Sequence, residues 1–358
     1  MKEGNLDAIR KRIDLIDCEV VKLLNQRMEL AVRLKRLKPS VSDPEREQRI
    51  LDNVRRFSHN LVRPEFSERL YGEIIEESKK IQEQDLKLIG FQGEHGAYSE
   101  AASLLYDVSL TPISCREFIE IFNEVTTGQL DFGIVPIENS LEGAVTQVND
   151  LLIETDLKII GEINMPIHHC LLTLPETEYR DLKVVYSHPQ ALAQCREFIL
   201  RHKLEPRPFY DTAGAAKMLS ENRPEATGVI ANKLCAELYH LEIVQEHIED
   251  HESNSTRFIV LSRESGIEPG DKCSIIFSIK HEAGALFAIL KIFFERRINL
   301  TRIESRPVRN DLGKYVFFAD FEGSDKEERV MESLKAVQDI TTSFKSLGCY
   351  RSYRGAVA

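Results

Sequence analysis

A guanidinium stands where this chain's pattern asks for an apolar side chain. Leu6, Ile9, Ile13, Ile16, Val20 and Leu23, then Leu30, Leu34 and Leu37, follow one another at alternating spacings of three and four. The same rhythm lands on Arg27 between Leu23 and Leu30. A buried, unpaired guanidinium is costly, so Arg27 requires an anion. One candidate is an internal glutamate, the usual partner of a buried arginine. The other is an anionic ligand, and the company favours it. Lys38 falls nearly on the same helical face, and Arg46 and Glu47 follow just after the next turn. Such a set can grip a small anion through charge-assisted hydrogen bonds.

A second group of polar residues lies just past the ends of apolar, strand-like runs: Glu138, Asn139 and Ser140; Ser187 and His188; Asp211 and Thr212. In open α/β sheets that edge is where ligands bind. Taken singly, each cluster reads equally as a cap or turn. Gly90, Gly93 and Gly96 give GxxGxxG before a helix, which is not the dinucleotide GxGxxG, so the spacing gives little support to a nicotinamide site, and no cofactor is expected.

The elements that must carry these residues divide the chain into three. Residues 1–84 read as helix. No Gly or Pro falls between Gly4 and Pro39, Asp43-Pro44 makes an N-cap with Pro at the first helical position, and Pro64 opens a third helix. A helix over 6–38 would be about 50 Å long, beyond the width of so small a globule, so a second chain must cover its seam: at least a dimer. Arg10 lies about 25 Å from Arg27 along that axis and on another face, within reach only of an antiparallel partner's site. Residues 86–263 alternate short β runs with helices, which implies an α/β sheet. The polar stretch 263–272 reads as a linker. Residues 272–352 follow the strand–helix–strand–strand–helix–strand order of a ferredoxin-like unit.

Composition sets limits on partners. A chain of 358 residues exceeds a single core, and 42% hydrophobic with 29% charged residues is ordinary for a globular protein. The net charge of −11 argues against nucleic acid, yet residues 1–84 carry a slight basic excess that asks for an anionic partner there. No apolar run is long enough for a membrane span and the first residues lack a leader's apolar stretch, so a cytoplasmic location is expected. The seven cysteines form no CxxC pair, and neither a disulfide framework nor a zinc site is expected. His168-His169, on an apolar run, reads as structural, and no metal is expected.

Three resemblances follow from these residues. Leu6-Asp7-Ala8-Ile9-Arg10, Ile13 to Asp17, Leu23-Leu24-Asn25-Gln26-Arg27, Lys38 and Asp43 to Glu47 resemble the all-helical chorismate mutases. The resemblance implies that Arg27, Arg46 and Arg10 of the partner subunit bind the two substrate carboxylates. It also implies that Lys38 and Gln82 contact the ether oxygen, that Glu47 takes the ring hydroxyl, and that Ser78 supports carboxylate binding with Asp43 nearby. Gly96 to Ala102, Pro136 to Gly143, Ser187 to Cys195 and Asn254-Ser255-Thr256-Arg257-Phe258 resemble the prephenate dehydratases. That implies two α/β lobes, like type II periplasmic binding proteins, with crossings near 164–170 and 247–254. It gives Thr256 the central role, and makes Asn139, Ser140, Ser187, Gln194 and Arg257 binders. Glu138, Asp211 or His188 remains open as the proton donor, with Thr212 beside them. Gly284-Ala285-Leu286 and Glu304-Ser305-Arg306-Pro307 resemble the two motifs with which ACT domains bind L-phenylalanine between subunits.

Together these imply a fused enzyme of phenylalanine biosynthesis, converting chorismate to prephenate and prephenate to phenylpyruvate under phenylalanine feedback. A Claisen rearrangement needs no nucleophile, only a dianion held in a folded conformer and a cation at the breaking ether bond. An arogenate dehydratase and a non-catalytic sensor of small carboxylates or amino acids are the alternatives.

Overall fold

The computed structural model describes residues 2–38, 40–251, 253–266, 269–307 and 315–352. Positions 267 and 268 of the expected linker, position 252 of the second expected crossing, and residues 308–314 beside the ACT hairpin lie outside these. The chain divides into two compact units, Met1–Leu86 and Lys87–Ala358.

The first unit consists of the helices Lys2–Lys35, Pro44–Phe57 and Pro64–Glu83. Asp43 caps the second helix by accepting from Arg46 N, with Pro44 at the first position. Lys38 lies beyond the end of the first helix, not on its face as expected; Pro39 disfavours helical backbone in the residue before it. Among the described residues of this unit, Val32 and Ile75 are the buried apolar side chains. Ile9, Ile13, Ile16 and Leu23 of the seam are each more than half exposed. A unit with so small a core and so long an apolar stripe has not buried what its sequence provides.

The second unit has three sheets. The first runs in the order Thr111–Cys115, Leu88–Gln92, Phe132–Asn139, Ser255–Ser262 and Lys158–Pro166, with Gly143–Ala144 paired to Phe132–Asn139. The second runs Glu242–Gln245, Cys170–Thr173, Thr227–Ala231, Val184–Ser187 and Glu205–Pro208. The chain passes from the first to the second at 167–169 and returns at 246–254. The third sheet is antiparallel, in the order Leu300–Pro307, Tyr315–Glu322, Lys272–Ser278 and Ser343–Tyr350, with helices Ala285–Glu295 and Glu328–Ile340 contributing to its core.

The third sheet packs against the first. Gly348, at φ +118°, brings its backbone so close to Ile159 that a Cβ there would stand 2.8 Å from Ile159 O. A buried ion-pair network extends the junction. Arg257 meets Glu138 at 2.7 Å, Glu162 at 2.9 Å and Asp320 at 2.6 Å, and Lys272 reaches Glu162 at 2.8 Å. Burial pushes the Asp320 carboxyl up, but the fields of Arg257 and Arg302 outweigh it and hold the pKa below the usual range. One expectation about thiols is corrected here: Cys273 and Cys349, opposite one another on neighbouring strands, form a disulfide.

Candidate active sites

In the helical unit, a cavity of about 370 Å³ is lined by Arg27, Lys38, Asp43, Arg46, Glu47, Ser78, Lys79 and Gln82, among apolar neighbours. Four cations therefore face two carboxylates. Glu47 is already engaged, accepting from Lys79 Nζ at 2.8 Å and from Asp43 N at 3.3 Å, and the Lys79 bond holds its pKa down. Asp43 is engaged as the helix cap. Arg27 Nη1 and Gln82 Oε1, by contrast, are buried with no hydrogen-bond partner. Such atoms are costly, and a cavity holding both is built for a ligand with charge and polar oxygens.

In the second unit, a cavity of about 550 Å³ lies between the two lobes. Its walls carry the starts of five helices: Ala97, Tyr98 and Ser99 at Tyr98–Tyr106; Glu117 and Phe118 at Phe118–Thr127; Val145 and Gln147 at Thr146–Glu154; His188 and Gln190 at Pro189–Gln194; Asp211 and Thr212 at Thr212–Asn222. Helix N-termini favour anions. Arg116 is the one Lys or Arg among the lining residues.

A chain of hydrogen bonds crosses the cleft. Asn139 Nδ2 donates to Thr256 Oγ1 at 2.9 Å and to Asn254 Oδ1 at 2.9 Å. Asn254 Nδ2 donates to Gln194 Oε1 at 3.0 Å, which lies 2.8 Å from His169 Nε2. His169 Nδ1 lies 2.7 Å from the Tyr98 hydroxyl. Burial lowers the His169 pKa despite the bond to Gln194, and pushes Tyr98 well above its usual value. A neutral His169 that donates from Nε2 to Gln194 keeps its lone pair at Nδ1, where it shares the single Tyr98 hydroxyl proton with the His168 carbonyl oxygen, also 2.7 Å from that hydroxyl. Across the cavity, Asp211 caps its helix by accepting from Ala213 N and Gly214 N. Burial raises its pKa in spite of those bonds. Gly93 lies so near that a Cβ, already strained at φ +113°, would sit 2.9 Å from Asp211 Oδ2.

Comparison with known proteins separates the possible chemistries. Residues 9–83 match the family Chorismate mutase type II, 89–266 match Prephenate dehydratase, and 274–339 match the ACT domain. The bifunctional chorismate mutase/prephenate dehydratase of Aquifex aeolicus is 36% identical, over 96% of this chain and 97% of that protein. The chain belongs to the bifunctional chorismate mutase/prephenate dehydratases. Both activities are therefore assigned, and the alternative of a non-catalytic sensor is set aside. The prephenate dehydratase of Arthrobacter aurescens, solved in complex with L-Phe, shares 33% identity at a TM-score of 0.69, covering 74% of this chain and 89% of that one. GqqA, of a novel type of quorum quenching acylases, has a TM-score of 0.70 at 32% identity, covering 75% of this chain and 99% of its own. Fold alone does not select the reaction; the full-length bifunctional relative adds the mutase half that these two structures do not cover.

Within this family frame the expected residues fall into two groups. The mutase cavity gathers Arg27, Lys38, Asp43, Arg46, Glu47, Ser78 and Gln82; Arg10 is not among its lining residues. As placed, Gln82 Nε2 donates to Ser78 O, so the amide must rotate before it can donate to an ether oxygen. The dehydratase cleft gathers Asn139, His188, Gln194, Asp211, Thr212 and Thr256. Four expected site residues, three binders and one candidate proton donor, lie elsewhere. Glu138 and Arg257 alternate with Asn139 and Thr256 along their strands, and their side chains serve the ion-pair network. Ser187 Oγ donates to Ile230 O inside the second lobe, and Ser140 Oγ braces its loop on Ser253 O.

The ACT motifs are also partly engaged. Gly284 starts its helix at φ +88°, while Arg306 donates to Thr146 Oγ1 and Asp150 Oδ1 of a dehydratase-lobe helix. Glu304 accepts from Arg302. Sequence reasoning missed Lys79, Arg116, Tyr98 and Asn254, and it read His169 as structural.

Proposed function

We propose that the helical unit binds chorismate within an antiparallel dimer, and that the cleft dehydrates prephenate with Thr256 at the leaving hydroxyl. The unpaired, buried Arg27 Nη1 carries the first half of this reading. Arg27, Arg46 and Arg10 of the partner subunit take the two carboxylates, Lys38 and a rotated Gln82 face the ether oxygen, and Glu47, oriented by Lys79, takes the ring hydroxyl. Ser78 supports Gln82 from one turn earlier. The exposed apolar seam supports a second copy as its cover.

In the cleft, Thr256 Oγ1 accepts from Asn139, and none of the described hydrogen bonds uses the threonine's own proton. That proton is available to the leaving hydroxyl. A threonine is too weak an acid to complete the transfer, and we assign the proton to Asp211, which lines the same cavity and whose pKa burial pushes up against its two cap bonds. The C–OH bond breaks to release water, the electrons of the departing carboxylate's C–C bond enter the ring, and CO₂ and phenylpyruvate form. Arg116, the helix N-termini and His188 hold the substrate's carboxylates. A chain that makes prephenate in one unit favours prephenate over arogenate in the other.

The Arthrobacter relative is solved with L-Phe, and the motifs at 284–286 and 304–307 suit the same ligand here. Exposed Phe287, next to the first motif, and Phe294, on the same helix, support an ACT interface with a second copy, through which phenylalanine closes the enzyme into a less active state. Among the described residues no helix is long and apolar enough to cross a membrane, in keeping with a cytoplasmic enzyme. Turnover of chorismate, prephenate and arogenate by the full chain, with and without L-phenylalanine, tests this. Prephenate turnover suppressed by phenylalanine is expected; faster turnover of arogenate would overturn the substrate choice.

A further inference from the structure

Beside the cleft-facing network, three ligand-bearing groups converge where the chain passes between the lobes. His168 lies in the first crossing, and His247 and Glu249 lie in the second. His168 Nδ1 is 2.7 Å from Glu249 Oε1 and 3.1 Å from His247 Nδ1, while His247 Nδ1 is 3.6 Å from the same carboxylate oxygen. The carboxylate is held from behind, because Oε2 accepts from His169 N at 2.9 Å. Its side chain is 2% exposed, whereas those of His168 and His247 are 42% and 60% exposed.

Hydrogen bonding links these atoms only if one proton on His168 Nδ1 serves both neighbours, and it leaves the third approach, at 3.6 Å, without a bond. If His168 Nδ1 carries a proton, it donates to Glu249, and at best shares that proton with a lone pair on His247. The carboxylate and His247 are then left facing each other without a link. If His168 Nδ1 carries a lone pair, it can accept from His247, but it then meets the carboxylate lone pair to lone pair at 2.7 Å. A cation inside the triangle accepts a lone pair from all three atoms at once. Tetrahedral coordination with bonds of about 2.0–2.1 Å sets ligand atoms roughly 3.3 Å apart, and the three observed separations bracket that value.

The geometry points to a site for a divalent transition-metal ion of the zinc class, bound by His168 Nδ1, His247 Nδ1 and Glu249 Oε1, with a further position open to solvent. Two imidazoles and one carboxylate suit zinc or cobalt rather than calcium or magnesium, which prefer all-oxygen shells. The exposed imidazoles provide the entry path, and the His169 N–H bond supplies the outer-shell support that a ligating carboxylate needs. The ion would clasp the two crossings that connect the lobes.

Titration of the full chain with Co²⁺, after treatment with a chelator, tests the assignment. One equivalent is expected to bind with the visible d–d bands of a low-coordinate nitrogen- and oxygen-ligated ion, and Zn²⁺ should displace it. His247→Ala alters an exposed side chain outside both active sites. It should weaken binding by about tenfold or more, a loss of about 1.4 kcal/mol, while prephenate turnover shows that the fold is intact. Glu249→Gln should weaken binding comparably. No binding, binding unchanged in His247→Ala, or a thiolate charge-transfer band placing the ion on a cysteine would each overturn the proposal.

Discussion

The two cavities differ in how far one chain completes them. In the dehydratase cleft, polar side chains from both lobes and both crossings bond to one another in sequence, from Thr256 through Asn139, Asn254, Gln194 and His169 to Tyr98. In the mutase cavity, a guanidinium nitrogen and an amide oxygen are buried without partners, and the adjoining helix exposes its apolar seam. Each orphaned polar group costs about 1–3 kcal/mol, and that cost is recovered when a ligand pairs it. One site is organised before substrate arrives; the other leaves polar atoms for a ligand to pair and, in the dimer proposed above, a seam for a second copy to cover.

The strongest test of that contrast is Arg27→Ala. Truncating one partner of a buried, hydrogen-bonded charge pair costs about 2–5 kcal/mol. Mutase kcat/KM should therefore fall by about 10³-fold while prephenate turnover is unchanged. Equal losses in both activities would show that the two sites are not independent.

Thr256→Ala and Asn139→Asp probe the other side. Loss of one positioned donor costs about 10²–10³-fold in turnover. Asn139→Asp retains size and the oxygen that accepts from Leu141 N and Glu142 N, but it cannot donate to Thr256. Both variants should lose dehydratase kcat by about 10²-fold and keep mutase activity. If Asn139→Asp is silent, the hydrogen-bond chain does not organise the site.

These variants also show what was legible beforehand. Arg27 stood out because an amphipathic repeat makes a charged intruder conspicuous. Lys38 was mis-phased because the helix stops before Pro39. Glu138 and Arg257 fall outside the cleft lining for a simpler reason: in a strand, neighbours point to opposite faces. The motifs Glu138-Asn139 and Thr256-Arg257 each place one residue in the cleft and the other in the ion-pair network behind it. His169 and Asn254 could not be paired from sequence, since only the two crossings bring them together. Cys273 and Cys349 were likewise invisible as a pair until the register of the last strand was known.

A smaller effect tests whether the mutase site needs its second copy. Ile13→Asp places a charge in the exposed seam without touching the cavity. If Arg10 of the partner subunit supplies one charge-assisted hydrogen bond worth about 1.5–3 kcal/mol, mutase kcat/KM should fall by about 10–100-fold. Sedimentation should show the loss of helical-unit association, and dehydratase turnover should persist. A variant that dissociates yet keeps full mutase activity would place the whole site within one chain.

The smallest effect is the pH dependence carried by His169. Burial holds its pKa below the ordinary 6.5, so the unfolded chain takes up a proton before the folded chain does. Folded-state stability is thus unaffected by this group above about pH 6.5 and is lost as pH falls from there toward the lowered folded value. The same proton would fill Nδ1, turn the Tyr98 hydroxyl proton wholly to the His168 carbonyl and place a charge in the neutral hydrogen-bond chain; dehydratase turnover should decline over the same interval. His169→Gln removes the titration while retaining a polar side chain. Urea midpoints for the wild type and this variant should converge or cross as pH falls through the window, with the wild type losing more. A wild-type stability that instead rises relative to the variant on acidification would mean that His169 is held as an imidazolium, with Nδ1 donating to the Tyr98 oxygen, and the cleft would then hold a cation beside its substrate.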